Sequence, residues 1–187
     1  MIDERDAEIK NLTERFSAVK PCKLESKCPE VKRDSCTKCP VGWERYGGKC
    51  YYCSTNKATW SRSRNECRRQ GGDLVKIESR EEQEFLEQKA RIKMTAGEDK
   101  FWIGLTDSKT EDTWLWTDGS PLDNSLKFWC GVEPDNYKEV NPDGEDCARM
   151  GEKGGAAHVM CWFDASCEDP HKTICEKPEE PGQLKCV

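Results

Sequence analysis

Thirteen cysteines in 187 residues set the first constraint on this chain. Disulfides persist in oxidising compartments and are rare in the cytosol, so a chain this rich in thiols is expected outside the cell. The count is odd, which leaves at least one thiol free, modified or bonded to another chain. Cross-links also answer a compositional problem. Hydrophobic residues make up 35% of the chain and charged residues another 35%, a polar balance whose modest core needs covalent support.

The net charge of −6 argues against nucleic acid as a partner, since such a protein needs a basic face to displace phosphate counterions. The sequence holds no apolar run long enough to span a bilayer. Charge begins at Asp3, so no signal peptide is visible. Oxidising composition without a leader is expected of a piece whose signal peptide or signal anchor lies upstream. Any membrane anchor would come from that upstream segment.

Along the chain, residues 1–21 read as a helical neck. Ile2, Ile9 and Phe16 recur every seven residues, as do Leu12 and Val19, the a and d seam of a coiled coil, which predicts a homo-oligomer joined through the neck. Asn11-Leu12-Thr13 is a glycosylation sequon, and Asn11 falls on the solvent side of that seam. Residues 22–38 form a linker carrying Cys22, Cys28 and Cys36. From residue 39 the pattern turns globular. A hairpin is predicted over Tyr46–Tyr52 with Gly47-Gly48 at its turn, and a helix over Thr59–Gln70 ended by Gly71-Gly72. A short strand follows near Leu74–Ile77. Ser79-Arg80-Glu81-Glu82 fits a capping box, and Phe85 and Leu86 give the next helix its apolar side. Phe101–Leu105 reads as a buried strand. Beyond it the chain is rich in Gly, Pro, Asp and Asn as far as Asp146, and so long a loop in a compact domain is usually functional. Strands near Cys147–Met150, Val159–Trp162 and Thr173–Glu176 close the domain, and a tail begins at Pro178.

Several of these segments resemble the C-type lectin-like family in its long form. Cys39-Pro40-Val41-Gly42-Trp43 with Cys50-Tyr51 looks like its opening hairpin. Trp102-Ile103-Gly104-Leu105 is similar to its central core signature, and Trp114-Leu115-Trp116 with Asp118-Gly119 to the next. Glu133-Pro134-Asp135, Gly144-Glu145-Asp146-Cys147 and Trp162-Phe163-Asp164 with Cys167 match its ligand-loop motifs, and Ile174-Cys175-Glu176 its last strand. The resemblance spans residues 39–177. It implies an α+β fold of two helices and small antiparallel sheets with a long ligand loop, preceded here by the neck and followed by a tail over 178–187. It also implies disulfides Cys39–Cys50, Cys67–Cys175 and Cys147–Cys167. For Cys36–Cys53 there is a register argument: both position sums equal that of Cys39 and Cys50, as one antiparallel ladder requires. Cys130 and Cys161 flank the loops and form a further candidate pair. Cys22, Cys28 and Cys186 are left for interchain or tail bonds. A rival reading makes Cys36, Cys39, Cys50 and Cys53 a four-thiolate zinc site.

The resemblance further implies a calcium (Ca2+) site on the loops, with Glu133, Asp135, Glu145 and Asp164 as ligands and as contacts to a sugar. A second calcium position would use Asp107, Glu111, Asn136 and Asp146. Two departures bear on sugar binding. The triplet Glu133-Pro134-Asp135 is neither the mannose-type nor the galactose-type form, and Phe163 stands where the sugar-binding form has Asn. An ionised Asp only accepts hydrogen bonds and Phe offers none, so both amide donors to a bound diol are gone. Each lost charge-assisted bond costs about 1.5–3 kcal/mol. The expected partner is thus a glycan, with a protein or lipid ligand held by Phe163, Tyr137 and Trp129 as the alternative. Catalysis is not expected. His158 and His171 are the only histidines and read as ordinary surface or loop residues, and ligation explains Glu133 and Glu145 better than a glycosidase pair does. The reading is an extracellular receptor head, resembling type II immune lectin receptors, anchored by a missing upstream segment or secreted.

Overall fold

The computed structural model describes residues 37–139, 141–154 and 159–181. The predicted neck, the sequon at Asn11, His158 and the cysteines at 22, 28, 36 and 186 lie outside the described residues.

Strand β1 (Thr37–Lys38) is followed by the hairpin of β2 (Glu44–Tyr46) and β3 (Lys49–Cys53). Gly47 and Gly48 both have positive φ, +56° and +83°, the left-handed pair a two-residue hairpin turn needs. Helix α1 (Trp60–Arg69) starts where the Thr59 side chain accepts the Arg62 amide, and Trp60, Ser63 and Cys67, at i, i+3 and i+7, form its buried face. Strand β4 (Asp73–Leu74) leads to helix α2 (Arg80–Lys93). Ser79 Oγ accepts the Glu82 amide at 3.1 Å, as half of a capping box does. The other half is redirected: the Glu82 carboxylate accepts the Glu78 amide at 2.7 Å and the Tyr51 hydroxyl, which ties the helix start to the hairpin.

The remaining strands are β5 (Phe101–Thr106), β6 (Leu115–Trp116), β7 (Cys147–Met150), β8 (Trp162–Ala165), β9 (Lys172–Pro178) and β10 (Glu180–Pro181). Eight strands join in one sheet, in the order β2-β3-β9-β5-β7-β8, with β4 on β9 and β6 on β5, and β1 and β10 form a second, two-stranded sheet. Every strand-to-strand pairing is antiparallel except β5 with β9, and an isolated bridge sets Trp129 parallel to Trp162 of β8. The strand predicted at Val159–Trp162 begins later, at Trp162. Met150 and Trp162 are the last pair of the β7–β8 ladder, and Gly151 (φ +121°) turns the chain away before Val159 could find a partner. β10 pairs with β1, so the ladder extends past residue 177 into the predicted tail.

Two apolar clusters fill the interior. One gathers Val75, Ile77, Leu86, Phe101, Ile103, Leu105 and Trp162; the other packs Trp60, Leu74 and Trp102 around the Cys67–Cys175 bond. The motif Trp102-Ile103-Gly104-Leu105 has a steric reason at its third position: a Cβ on Gly104 would sit 2.9 Å from the Leu74 carbonyl oxygen. That close approach lets Gly104 donate to Val75 O at 2.8 Å. Trp129 belongs to this interior as well. Its ring meets Trp114 and Trp162 edge-on, with centroids 4.7 and 5.6 Å away, so it is a core residue and not the exposed anchor expected. His171 is likewise buried rather than on the surface. It lies edge-on to Trp102, with Arg149 Nη1 2.9 Å from its Nε2, and burial followed by the Arg149 charge pulls its pKa down to about 4.

Disulfides join Cys39 to Cys50, Cys67 to Cys175 and Cys147 to Cys167. The second closes a separation of 108 residues and, in the chain-entropy picture, removes the most freedom from the unfolded state, worth about 4–5 kcal/mol. With Cys39 and Cys50 bonded to each other, a four-thiolate zinc site is excluded. Cys36, the expected partner of Cys53, lies outside the described residues, and the hairpin register differs from the one the position sums imply. In the β2–β3 ladder Cys50 faces Arg45, β1 pairs with β10, and Cys53 faces Ile174 of β9. Cys53 has no disulfide partner among the described residues. Cys130 and Cys161, the other candidate pair, are both free thiols. Trp129 pairs with Trp162 in parallel, which puts Cys161 opposite Phe128 and Cys130 opposite Phe163. The buried Cys161 sulfur instead lies 3.3 Å from Gln83 Nε2.

Candidate functional site

The loop from Asp107 to Asp146 carries little regular structure beyond β6 and is held by polar bonds. Asp164, on β8 and turned inward, organises its second half. Its two carboxylate oxygens accept the amides of Asp135, at 3.2 Å, and Asn136, at 2.8 Å. Asn136 has a φ of +45°, a conformation asparagine tolerates better than most residues. Its side-chain oxygen accepts the Glu145 amide at 3.0 Å, while Glu145 Oε2 accepts the Tyr137 amide at 3.2 Å. Asn141 closes the excursion between them: its side chain donates to Gly144 O and to Ser166 Oγ, at 3.2 and 3.1 Å.

This framework brings carboxylate oxygens of Glu133, Asp135 and Asp164 within 4.8 Å of one another. No lysine or arginine among the described residues is ion-paired with any of the three. The electrostatic consequence falls on Glu133. Partial burial, the hydrogen bond to Asp164 and the charges of Asp164, Asp135 and Glu145 push its pKa up to about 8. Burial, with the charges of Asp164 and Asp135, also raises that of Glu145. Three hard oxygens that resist being charged together form a donor set suited to a hard cation.

A second group lies at the start of the loop. Asp107, 4% exposed, accepts the Asp112 amide through Oδ2 at 2.9 Å, and its Oδ1 is buried with no hydrogen-bond partner. Burial first, then the charges of Glu111 and Asp146, raise its pKa to about 6. The structure clusters Asp107 and Glu111 with Asp112, a residue the sequence reading missed although it directly follows Glu111. Asn136 and Asp146 were the other two expected ligands, and the Asp146 charge is among those that raise the Asp107 pKa. The Asn136 side chain is committed to Glu145, and the Asp146 backbone carbonyl accepts the Asp107 amide at 3.2 Å and the Thr106 hydroxyl at 2.6 Å.

Phe163 does not join the carboxylates. Side chains alternate along β8, so Asp164 faces the loop while Phe163 lies under Lys100, whose Nζ is 4.5 Å from the ring centroid. The exposed apolar residues beside the carboxylates are Val132 and Tyr137. Tyr137 donates its hydroxyl to Glu139 at 2.7 Å.

The family model for the lectin C-type domain matches residues 56–177, and the chain belongs to that family. C-type lectin domain family 4 member E of Mus musculus is 38% identical over 141 residues, 75% of this chain and 61% of that protein, so the chain spans about three fifths of this relative's length. Among solved structures, the mouse scavenger receptor C-type lectin carbohydrate-recognition domain is 37% identical, with a TM-score of 0.64 over 78% of this chain and all of the other. A calcium-independent type II antifreeze protein is 32% identical, with a TM-score of 0.61 over 77% of this chain and 97% of the other. The chain is a binding module and not an enzyme.

Proposed function

We propose that this chain is the extracellular ligand-binding head of a C-type lectin receptor, and that Glu133, Asp135 and Asp164, with Glu145 beside them, hold calcium and through it a carbohydrate. The observation that carries the reading is the gathering of the first three carboxylates without a cationic partner. The unpartnered Oδ1 of buried Asp107 supports a second calcium position with Glu111 and Asp112. Bound calcium would supply the charge these acids lack and open coordination positions for sugar hydroxyls. The protein's part is to fix the ligands: Asp164 is itself held by the amides of Asp135 and Asn136, so the side chain that closes the cluster also shapes the loop. Around a bound diol, Glu133 and Asp135 accept hydrogen bonds and donate none, which favours ligands rich in hydroxyl donors. The neck over residues 1–21 would cluster heads and raise avidity, and an upstream segment would anchor them.

A protein or lipid ligand is the second reading. Val132, 86% exposed, and Tyr137, 45% exposed, flank Glu133 and Asp135 and offer an apolar edge. One experiment addresses both. Thermal unfolding of the chain should shift upward in calcium and return with chelator, because a ligand bound only by the folded state stabilises it. A glycan panel probed with and without chelator then separates the ligand classes. An unchanged melting temperature at millimolar calcium would overturn the calcium reading. A calcium shift without binding to any glycan would favour the second ligand class.

A further inference from the structure

The outer face of α1 is basic in a chain of net charge −6. Arg62, Arg64, Arg68 and Arg69 stand against only Glu66 and the nearby Asp73, a local surplus of 4 − 2 = 2 positive charges. Arg64 is satisfied by Asp73 and by the Thr117 carbonyl, and Arg68 reaches Asp73 through Nε at 3.3 Å. Arg69 contacts Glu66 through one nitrogen, and its side chain is 74% exposed. Arg68 and Arg69 lie in the last turn, where a cation complements the helix dipole. Arg62 lies in the first turn, where a cation opposes it, and no acidic residue shares that turn. Helix stability therefore does not account for Arg62.

Arg62 and Arg69 are seven residues apart, about 10 Å along one side of the helix. Both line a cleft of about 280 Å³ between α1 and the segment that follows β3. Its other walls present hydroxyls and amides, including Ser54, Thr55, Asn56 and Gln70, and one acid, Glu66, whose two oxygens accept from Arg69 and from the Gln70 amide. The cleft shares no residue with the carboxylate loops.

We infer that this cleft is a second, calcium-independent binding site for an anionic carbohydrate, one bearing sulfate or carboxylate groups. The guanidinium groups at its two ends would pair in fork geometry with planar or tetrahedral oxyanions. The hydroxyl and amide walls between them match sugar hydroxyls better than the side chains of an acidic peptide.

The test uses the full chain in excess chelator, so that the loop site is silent. The probes are a heparin-derived sulfated oligosaccharide and its desulfated counterpart, with affinity read across a salt series. Wild-type protein should bind the sulfated probe, lose affinity as salt rises, and ignore the desulfated one. Arg62→Gln with Arg69→Gln should weaken binding by about tenfold or more, since each removes a charge-assisted contact. Asn65→Glu, which sets an opposing charge on the same helix side and leaves both arginines in place, should weaken it too. Arg80→Gln with Arg91→Gln on α2 removes the same charge elsewhere and should change little. Equal losses in the α2 pair, equal binding of the desulfated probe, or no binding at all would overturn the proposal. Competition by polyglutamate as strong as by the sulfated probe would instead indicate an acidic peptide and overturn the carbohydrate assignment.

Discussion

Two buried aspartates mark the difference between the scaffold and the loops. Asp99, 2% exposed, sits among Lys172 at 2.7 Å, Lys57 at 2.9 Å and the amide and hydroxyl of Thr95, and these partners, Lys172 first, hold its pKa well below the usual carboxylate range. Asp107 is nearly as buried, yet one of its oxygens has no partner, its acidic neighbours are Glu111 and Asp146, and its pKa is raised. The scaffold carries its own counter-charge at Asp99; in the loops Lys138 meets Glu111 at 3.5 Å, while Asp107, Glu133, Asp135 and Asp164 have no ion-pair partner among the described residues.

The contrast breaks most directly by neutralising each aspartate. Asp99→Asn strands the buried Lys172 ammonium and should cost about 3–5 kcal/mol in denaturant unfolding, with or without calcium. Asp107→Asn in chelator should stay within about 0.5 kcal/mol of wild type, because it relieves repulsion as well as removing a bond. A large calcium-independent loss at Asp107 would erase the distinction. Next in size is calcium itself. At a hundredfold excess over its Kd it should add about 2.7 kcal/mol, and Glu133→Gln or Asp164→Asn should abolish most of that gain. Hydrogen exchange should slow at the amides of Asp135, Asn136 and Tyr137 and not in β9; uniform slowing would show that the loops and the sheet open together.

Acidity should separate the regions further. His171 has a folded pKa of about 4, below its ordinary 6.5, so its contribution is whole above 6.5 and is lost as pH falls towards 4. Glu133 runs the other way. Its folded pKa of about 8 lies above the ordinary 4.5, so in chelator its contribution is whole below 4.5 and is lost as pH climbs towards 8. The two oppose each other between 4.5 and 6.5. Removing one should expose the other: Glu133→Gln should leave stability rising from pH 4 to 6.5, and His171→Gln should leave it falling from 4.5 to 8, both read by melting temperature in chelator. The smallest effect is expected at Phe163. Phe163→Leu removes the ring beneath Lys100 and should cost about 0.5–1 kcal/mol while sparing the calcium response. A changed calcium response would place Phe163 with the loops.

The scaffold was the more legible region in the sequence, for reasons particular residues make plain. Thr59 and Ser79 announce helix starts and Gly47-Gly48 a turn, all local signals that a sequence stretch carries. What escaped depends on neighbours distant in the chain. Trp129 looks like an exposed anchor until Trp114 and Trp162 close over it. The equal sums of the cysteine positions suggested a ladder, but the hairpin took its register from Gly47-Gly48. In the loops, Glu133, Asp135 and Asp164 were legible as a set because each sits in a recognisable motif. Asp112 sits in none, and only the fold of the turn brings it to Asp107.

The short ladder between Thr37–Lys38 and Glu180–Pro181 bears on how such a domain travels and withstands tension. Because its two ends lie side by side, the domain can be spliced into a host protein as a self-contained cassette without spreading its neighbours. Tension applied through both ends would peel that ladder open from Thr37 and Pro181, one pair at a time. Peeling would stop after two pairs, where the Cys39–Cys50 bond ties the first strand to β3, itself laced along β9. The ladder acts as a latch of small mechanical strength, and the covalent knot behind it shields the loops from any pull on the chain.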